Sequence, residues 1–271
     1  MSTTSTVRIE IDGRALTAEQ ASVSELSVFG HFTAMQVRGG RVRGLEFHLA
    51  RLAQANEELF GAPLDRDLVR ERIRHALGGD TADATERADA SVRVYMLQPA
   101  EDSPVVMKVT VRAPVELSGV AQTLQSVPYQ RPVPHIKQVG GGFGQAYFGR
   151  LAVRNGFDDA LLTGPGGLIV EAAIANIAFF DRDGGGLVWP DAPALAGITM
   201  QVLEARLAGA GVESRRAPVH LADLFSFGGC VVTNARGIAP VSRIDDVALP
   251  LDEDLFKRVV AAYESTPWDE I

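Results

Sequence analysis

The 271-residue chain has little cysteine and little lysine. Its single cysteine, Cys230, excludes an internal disulfide framework and a cysteine-rich zinc site. The five histidines do not form the HExxH pattern of a helical zinc site, and no metal site is predicted. No apolar run reaches the length of a membrane-spanning helix, and the polar stretch 1–7 lacks a signal-peptide core. These absences predict a soluble, cytoplasmic protein without a membrane partner.

Charge and composition narrow the class of protein further. The net charge of -8 argues against a general affinity for nucleic acid, because a phosphate backbone is bound by basic surfaces. A hydrophobic content of 46% with 22% charged residues is typical of a globular protein. The length suits one large domain or two of modest size.

Hydrophobic periodicity indicates two differently built halves. The first half has two hairpins before residue 43, two helices within 46–77 and two strands within 91–112, which is an α+β order. The second half begins with a helix over 145–154, continues with short strands up to residue 244, and closes with a helix over 251–263.

Residues 113–134 carry four prolines and little helical periodicity, so they are the best candidate for a connection between domains. We therefore predict an α/β (α+β) protein of two domains. A smaller N-terminal α+β domain spans 1–120, a linker spans 121–134, and a larger C-terminal mixed-sheet domain spans 135–271.

Lys137 is the residue on which the functional interpretation depends. The chain has three lysines against 23 arginines, and the patterns around Lys108 and Lys257 predict that both face solvent. Lys137 instead lies between two nearby prolines and the glycines 140–142, which allow close approach of backbone. A lysine amine that is desolvated there can act as a nucleophile. The alternative is an ordinary loop lysine.

Two further side chains suggest a bound group that carries both negative and positive charge. His48 and Arg51 share one face of a predicted helix, where the arginine could hold a phosphate. Glu171 directly follows the apolar run 168–170, and a carboxylate at the end of a buried strand needs a partner such as a protonated aromatic nitrogen. The alternatives are a solvated helix arginine and a glutamate that reaches water.

Two glycine-containing turns could present backbone N–H groups to an anion. The segment from Leu195 to Thr199 enters a helix through Gly197, so it offers free N–H groups, unless Thr199 caps the helix. The polar turn 233–241 lies between apolar strands and could supply a second set. Arg236 in this turn is either a ligand for a substrate anion or a surface charge.

In their order along the chain, these segments resemble the class IV aminotransferases, the fold-type IV pyridoxal-phosphate enzymes. The resemblance rests on His-x-x-Arg-Leu, a lone central lysine, Gly-Phe-Asp-Asp-Ala-Leu-Leu, Glu171 with Asn176, Leu-x-Gly-Ile-Thr, and Thr-Asn-Ala before Pro-Val. The family includes branched-chain aminotransferases, D-amino-acid aminotransferases and 4-amino-4-deoxychorismate lyases. The resemblance covers about 7–244 and is strongest over 156–241.

The resemblance implies a role for each matching residue. Lys137 matches the lysine that forms the internal aldimine with pyridoxal 5'-phosphate, and Glu171 matches the glutamate that pairs with the pyridine nitrogen. Other cofactor-binding positions that it implies, with Asn176 in a structural role, are Arg51, Asn176, Ile198, Thr199 and Asn234. Candidate substrate-binding residues, from the same turn and from two predicted strands, are Arg93, Tyr95, Ala235, Arg236 and Phe32.

The sequence departs from the family pattern around the substrate. Branched-chain enzymes carry Gly-Asn-Tyr after the lysine, whereas this chain has glycines followed by Phe143, so Tyr147 is a candidate for the missing hydroxyl. The early Phe-Glu of the family is Phe32-Thr33 here, and the acidic approach to it is reduced in 24–27. These changes argue against a standard branched-chain aminotransferase.

The resulting prediction is a pyridoxal-phosphate aminotransferase that moves an amino group between an amino acid or amine and a 2-oxo acid. One alternative is a lyase that cleaves aminodeoxychorismate to p-aminobenzoate and pyruvate. Another is a non-catalytic protein of the same fold. The resemblance also implies a homodimer.

Overall fold

The computed structural model describes residues 7–17, 29–78, 89–117, 119–139, 142–182 and 185–271. The described residues form two compact units. Unit 1 comprises Met1–Val115, Ile136–Gly141 and Trp268–Ile271, and unit 2 comprises Glu116–His135 and Gly142–Pro267. None of the helices in the described ranges is long and apolar enough to span a membrane.

Unit 1 is built on an antiparallel five-stranded sheet of order β2-β1-β6-β5-β3. Its strands are β1 (Arg8–Ile11), β2 (Arg14–Ala15), β3 (Gly30–Val37), β5 (Ala90–Leu97) and β6 (Val106–Arg112). A separate pair joins β4 (Arg41–Val42) to β16 (Asp269–Glu270). Burial alternates along β3 and β5, because successive side chains point to opposite faces.

Two helices cover one face of this sheet. Helix α1 (Leu45–Phe60) ends at Gly61 in a left-handed conformation, and α2 (Arg66–Ala76) begins at Asp65, whose carboxylate accepts the N–H groups of Asp67 and Leu68. The apolar sides of both helices pack on buried strand residues to form one core, which includes Met35, Leu49, Ile73, Val92 and Val109. The opposite face of the sheet carries aromatic and polar side chains, among them Phe32, Arg93 and Tyr95.

Unit 2 is built on a mixed nine-stranded sheet. Its strands are β7 (Gln122–Pro128), β8 (Asp159–Thr163), β9 (Ile169–Ala172), β10 (Asn176–Asp181), β11 (Leu187–Pro190), β12 (Ser214–Ala217), β13 (Phe227–Asn234), β14 (Gly237–Ile244) and β15 (Val247–Ala248). The order is β12-β11-β10-β13-β14-β7-β8-β9, with β15 paired to β14. The pairs β7/β8, β7/β14 and β11/β12 are parallel, and the others are antiparallel.

Three helices pack on this sheet: α3 (Phe143–Arg154), α4 (Ile198–Leu207) and α5 (Glu253–Glu264). Helices α4 and α5 share a core with Phe180 and Trp189, whereas α3 packs on β8. The other face of the sheet buries a second apolar cluster that includes Phe179 and Cys230. Cys230 is therefore a buried residue of β13.

The mixed α/β fold confirms the predicted fold class. Three strands were not predicted: the two-residue strands β15 and β16, and β7, which lies inside the proposed linker 121–134. Strand β7 pairs in parallel with both of its neighbours in the larger sheet, β14 and β8. Strand β7 has two buried positions, Leu124 and Val127, which are three residues apart, so the stretch lacks the alternation that is typical of a strand. The glycines at 140–141 and the departure at 24–27 lie outside the described residues.

Candidate active site

Lys137 extends the sheet of unit 1 beyond its edge strand. The Phe32 N–H donates to the Lys137 carbonyl at 2.9 Å, and the Val139 N–H donates to the Gly30 carbonyl at 2.9 Å. His31 lies opposite Gln138 in this antiparallel pairing. Because side chains alternate along a strand, Lys137 points to the same face as Phe32 and away from the helix-covered face.

A group of aromatic and basic side chains surrounds Lys137 on that face. Its Nζ lies 5.0 Å from the centroid of the Phe32 ring, which stacks on Tyr95 at 5.2 Å. Arg93 donates from Nη1 to the Tyr95 hydroxyl at 3.4 Å. Lys108, which was expected to face solvent, is half-buried with its Nζ 4.8 Å from the Tyr95 ring. The face therefore places positive charge beside Lys137.

The opposite, helix-covered face of β3 holds Arg51. Its Nη2 donates to the Thr33 hydroxyl at 2.5 Å, and the same oxygen lies 2.7 Å from His48 Nδ1. Since an arginine only donates, the hydroxyl accepts from Arg51 and can give its own proton to a neutral His48. Thr33 and His48 are both buried, so these hydrogen bonds fix the position of the Arg51 guanidinium.

Arg51 fits an anionic group such as a phosphate. Its Nε is buried and has no hydrogen-bond partner among the described residues. Burial lowers the pKa of Arg51 to about 10, which leaves it cationic at neutral pH. Burial, and then the charge of Arg51, hold the pKa of His48 well below its usual range. A buried cation with an unsatisfied donor favours binding of an anion.

His31, the neighbour of Phe32 on β3, lies on the helix-covered side of this strand and not beside Lys137. It is 1% exposed and packs near the Phe60 ring at 5.7 Å. Burial lowers the pKa of His31 to about 4, with the Asn56 hydrogen bond opposing this shift and the charge of Arg51 adding to it. A neutral His31 is therefore part of the core under β3.

In unit 2, Glu171 lies on β9 and is 3% exposed. Its Oε1 accepts from Arg131 Nη1 at 3.0 Å, and its Oε2 accepts from the Leu195 N–H at 3.3 Å. The two side chains of this ion pair are 6% and 5% exposed. Glu171 thus has a buried cationic partner, and it is not a strand-end residue that reaches water.

Asn176 completes a clamp on Leu195. Its Nδ2 donates to the Leu195 carbonyl at 2.7 Å, while Glu171 takes the N–H of the same residue. A Cβ atom at Gly197 would collide with Asn176 Oδ1, so any other residue there would displace this amide from Leu195. The clamp fixes the approach to α4.

Among the residues that the structure describes, no side chain caps the first turn of α4. Its N-cap residue, Gly197, makes no side-chain cap hydrogen bond. The Thr199 hydroxyl, the alternative cap, donates instead to the Asn234 carbonyl at 2.7 Å. The N–H groups that begin at Ile198 are therefore available to an anion at the positive end of the helix dipole.

The turn between β13 and β14 meets this helix end through Asn234. Asn234 Oδ1 accepts the N–H of Arg236 at 2.8 Å, which fixes the turn around the half-buried Ala235. Arg236 is exposed and, together with Asn234, lines a cavity of about 540 Å³. Asp159 also lines it: burial raises the pKa of Asp159 to about 6, and backbone hydrogen bonds and the charge of Arg236 lower it in part.

The structure thus brings the predicted residues together in two sets. Unit 1 groups Lys137 with Phe32, Arg93 and Tyr95, and keeps Arg51 on the other face of β3. In unit 2, Glu171 and Asn176 both bind Leu195, and Thr199 binds Asn234. The segment from Leu195 to Thr199, which includes Ile198, joins these two groups. Sequence reasoning missed two partners, Thr33 and Arg131. Only the requirement of a buried carboxylate for a cation could have pointed to Arg131.

Tyr147, the candidate for the missing family hydroxyl, lies on α3. Its side chain is 47% exposed and its ring stacks on the exposed Phe143 at 6.1 Å. A half-exposed, stacked ring is typical of a surface position, and the substitution for the family tyrosine stays a prediction.

Comparison with known families places residues 30–244 within the model of the family described as amino-transferase class IV. This range includes every candidate site residue described above. A search of curated protein sequences found no significant match.

Solved structures share the fold over nearly the whole chain. A hypothetical aminotransferase from Mycobacterium tuberculosis in its PLP-bound form has a TM-score of 0.79 at 18% identity, covering 95% of this chain and 99% of that one. The branched-chain aminotransferase from the thermophilic archaeon Thermoproteus uzoniensis with norvaline gives 0.80 at 20%, covering 96% and 94%. The Escherichia coli branched-chain amino acid aminotransferase gives 0.80 at 18%, covering 96% and 94%.

Proposed function

The chain belongs to the class IV aminotransferases, and we propose that it transfers an amino group between an amino acid or amine and a 2-oxo acid with pyridoxal 5'-phosphate as its cofactor. The observation that carries this proposal is the hydrogen-bonded set in unit 2. It links a buried carboxylate, Glu171, to the uncapped first turn of α4. Such a set suits a ligand with a basic ring nitrogen at one end and a phosphate at the other.

The cofactor supplies a ring that takes up the electron pair released at the substrate Cα. Glu171 would hold the proton on the ring nitrogen, because a buried carboxylate favours a charged partner. The phosphate would be bound by Arg51, by the N–H groups of Ile198 and Thr199, and by Asn234. The unsatisfied Nε of Arg51 supports this assignment.

Lys137 would provide the amine that holds the cofactor and that moves the proton at the substrate Cα. The side chains beside it supply what a substrate carboxylate needs. Arg93 is oriented by the Tyr95 hydroxyl, and Phe32 and Tyr95 form a stacked wall. We propose that this face binds the carboxylate of the substrate, with Ala235 and Arg236 as further candidates.

The three lysines allow a direct test of the attachment point. The purified protein is incubated with pyridoxal phosphate, reduced with borohydride, and digested for peptide mass mapping. We expect the phosphopyridoxyl label on Lys137, a loss of label and turnover in Lys137→Ala, and no change in the control Lys257→Ala, whose side chain is 69% exposed. Label on another lysine, or turnover in Lys137→Ala, would contradict the proposal.

A second assay separates amino transfer from elimination. Pyruvate released from aminodeoxychorismate without an amino acceptor would support the lyase alternative, whereas product that depends on a 2-oxo acid supports the transferase. A protein that stays colourless after incubation with pyridoxal phosphate would indicate a non-catalytic relative. The proposed homodimer is tested separately by light scattering after gel filtration.

A further inference from the structure

The cation that neutralises Glu171 points to a function beyond the residues already assigned. We propose that Arg131 is a positioning residue that keeps the Glu171 carboxylate ionised and fixed in place for the ring nitrogen of bound pyridoxal phosphate. The inference rests on the proposed function. Its basis is the contact between Arg131 Nη1 and Glu171 Oε1 at 3.0 Å, in which both side chains are more than nine-tenths buried.

The fold accounts for this contact between residues that are 40 positions apart in the chain. Strands β7, β8 and β9 are neighbours in the sheet, and Glu171 lies opposite Leu162 of β8. The Tyr129 N–H donates to the Thr163 carbonyl at 3.1 Å, which holds the chain after β7 alongside β8. Arg131 then precedes Pro132, which favours an extended backbone at the arginine.

Burial makes the charge state of Glu171 depend on this arginine. A buried carboxylate without a cation favours its protonated form, because desolvation penalises the charge. Arg131 and the Leu195 N–H each hold one carboxylate oxygen, so they fix both the charge and the orientation. A protonated, neutral Glu171 would lack the negative charge that pairs with a protonated ring nitrogen. Loss of Arg131 should therefore weaken the binding of ligands that carry this ring nitrogen.

The test compares two ligands that differ in one ring atom. Dissociation constants are measured for pyridoxal phosphate and for its 1-deaza analogue, in which carbon replaces the ring nitrogen. In Arg131→Met we expect pyridoxal phosphate to bind on the order of tenfold more weakly, in proportion to the fraction of ionised Glu171. The 1-deaza analogue should change by less than about twofold, because it has no nitrogen for Glu171 to hold.

Two further variants guard against a folding defect. In a Glu171→Gln background, Arg131→Met should cause no additional loss specific to pyridoxal phosphate, because the two residues would act as one unit. Arg131→Lys, which keeps the charge, should recover most of the preference for pyridoxal phosphate over the 1-deaza analogue. The matched control is Arg215→Met, since Arg215 pairs with Asp181 at the surface, and it should leave both constants unchanged.

The outcomes separate this inference from the proposed function. If Arg131→Met weakens both ligands equally, or neither, Arg131 has at most a structural role and the inference is wrong. An additional nitrogen-dependent loss in the Glu171→Gln background would also overturn it. If the unmodified protein binds neither ligand, the proposed function itself fails.

Discussion

Replacing Thr33 by valine removes one hydroxyl that serves two buried partners. The substitution keeps the shape of the side chain but leaves Arg51 Nη2 and His48 Nδ1 without the contacts they make at 2.5 Å and 2.7 Å. A hydrogen bond to a charged group contributes about 1.5–3 kcal/mol, and an unsatisfied buried acceptor costs about 1–3 kcal/mol. The methyl group that replaces the hydroxyl in valine is buried, and its burial offsets about 0.8 kcal/mol of this loss. We therefore expect a loss of about 3 kcal/mol in the free energy of unfolding.

The assay is urea unfolding of the cofactor-free protein, followed by far-ultraviolet circular dichroism in phosphate-free buffer. Two controls isolate the hydroxyl. Thr163→Val removes a single neutral hydrogen bond to the Val127 carbonyl and should cost about 1 kcal/mol. Thr33→Ser keeps the hydroxyl and should cost about 1 kcal/mol for the lost methyl group. A Thr33→Val protein that loses no more stability than Thr163→Val would refute the proposed connection.

Three other variants test the electrostatics and the backbone. Because burial lowers the pKa of folded His31 from 6.5 to about 4, the unfolded chain takes up this proton first, and about 3 kcal/mol of stability should be lost as pH falls through that window. Urea titrations of His31→Leu should lack this loss. For Asp159 the sign is reversed: its pKa is raised from 3.8 to about 6, so the folded state binds the proton more tightly, and about 3 kcal/mol should be lost as pH rises between these values. Asp159→Asn should abolish that fall, and a parallel pH profile in the variant would rule out Asp159 as its source. Val133 has a φ of 46°, which a β-branched residue rarely adopts, so Val133→Asn should raise the midpoint of thermal unfolding by about 2 °C in calorimetry. An unchanged or lower midpoint would show that the turn is not strained.

The elements with a clear period were predictable from sequence. Strands β3 and β5 alternate between buried and half-buried positions, and α1 carries its apolar residues on one side. Strand β7 was not predicted, because its burial comes from two parallel neighbours that are distant in sequence and because prolines surround it. Tertiary position, and not local propensity, makes this segment a strand.

The candidate site shows the same division. The need of Glu171 for a partner follows from burial alone, but the identity of Arg131 depends on the order of three strands, which no local pattern encodes. Likewise, the predicted helix face carries both His48 and Arg51, whereas their link through Thr33 depends on where β3 lies under α1. The roles of these residues toward a cofactor stay predictions.

Unit 1 is closed by residues that follow all of unit 2 in the sequence. Asp269 pairs with Val42, its carboxylate accepts the Leu45 N–H across 224 positions of sequence, and Ile271 enters the core of unit 1. The ribosome therefore completes unit 2 before it adds these residues. During translation β4 therefore lacks its partner strand β16 until the end of synthesis, and this part of the assembly of unit 1 comes late. A nascent chain stalled before residue 268 should hold unit 1 in a more open, protease-sensitive state than the released protein does.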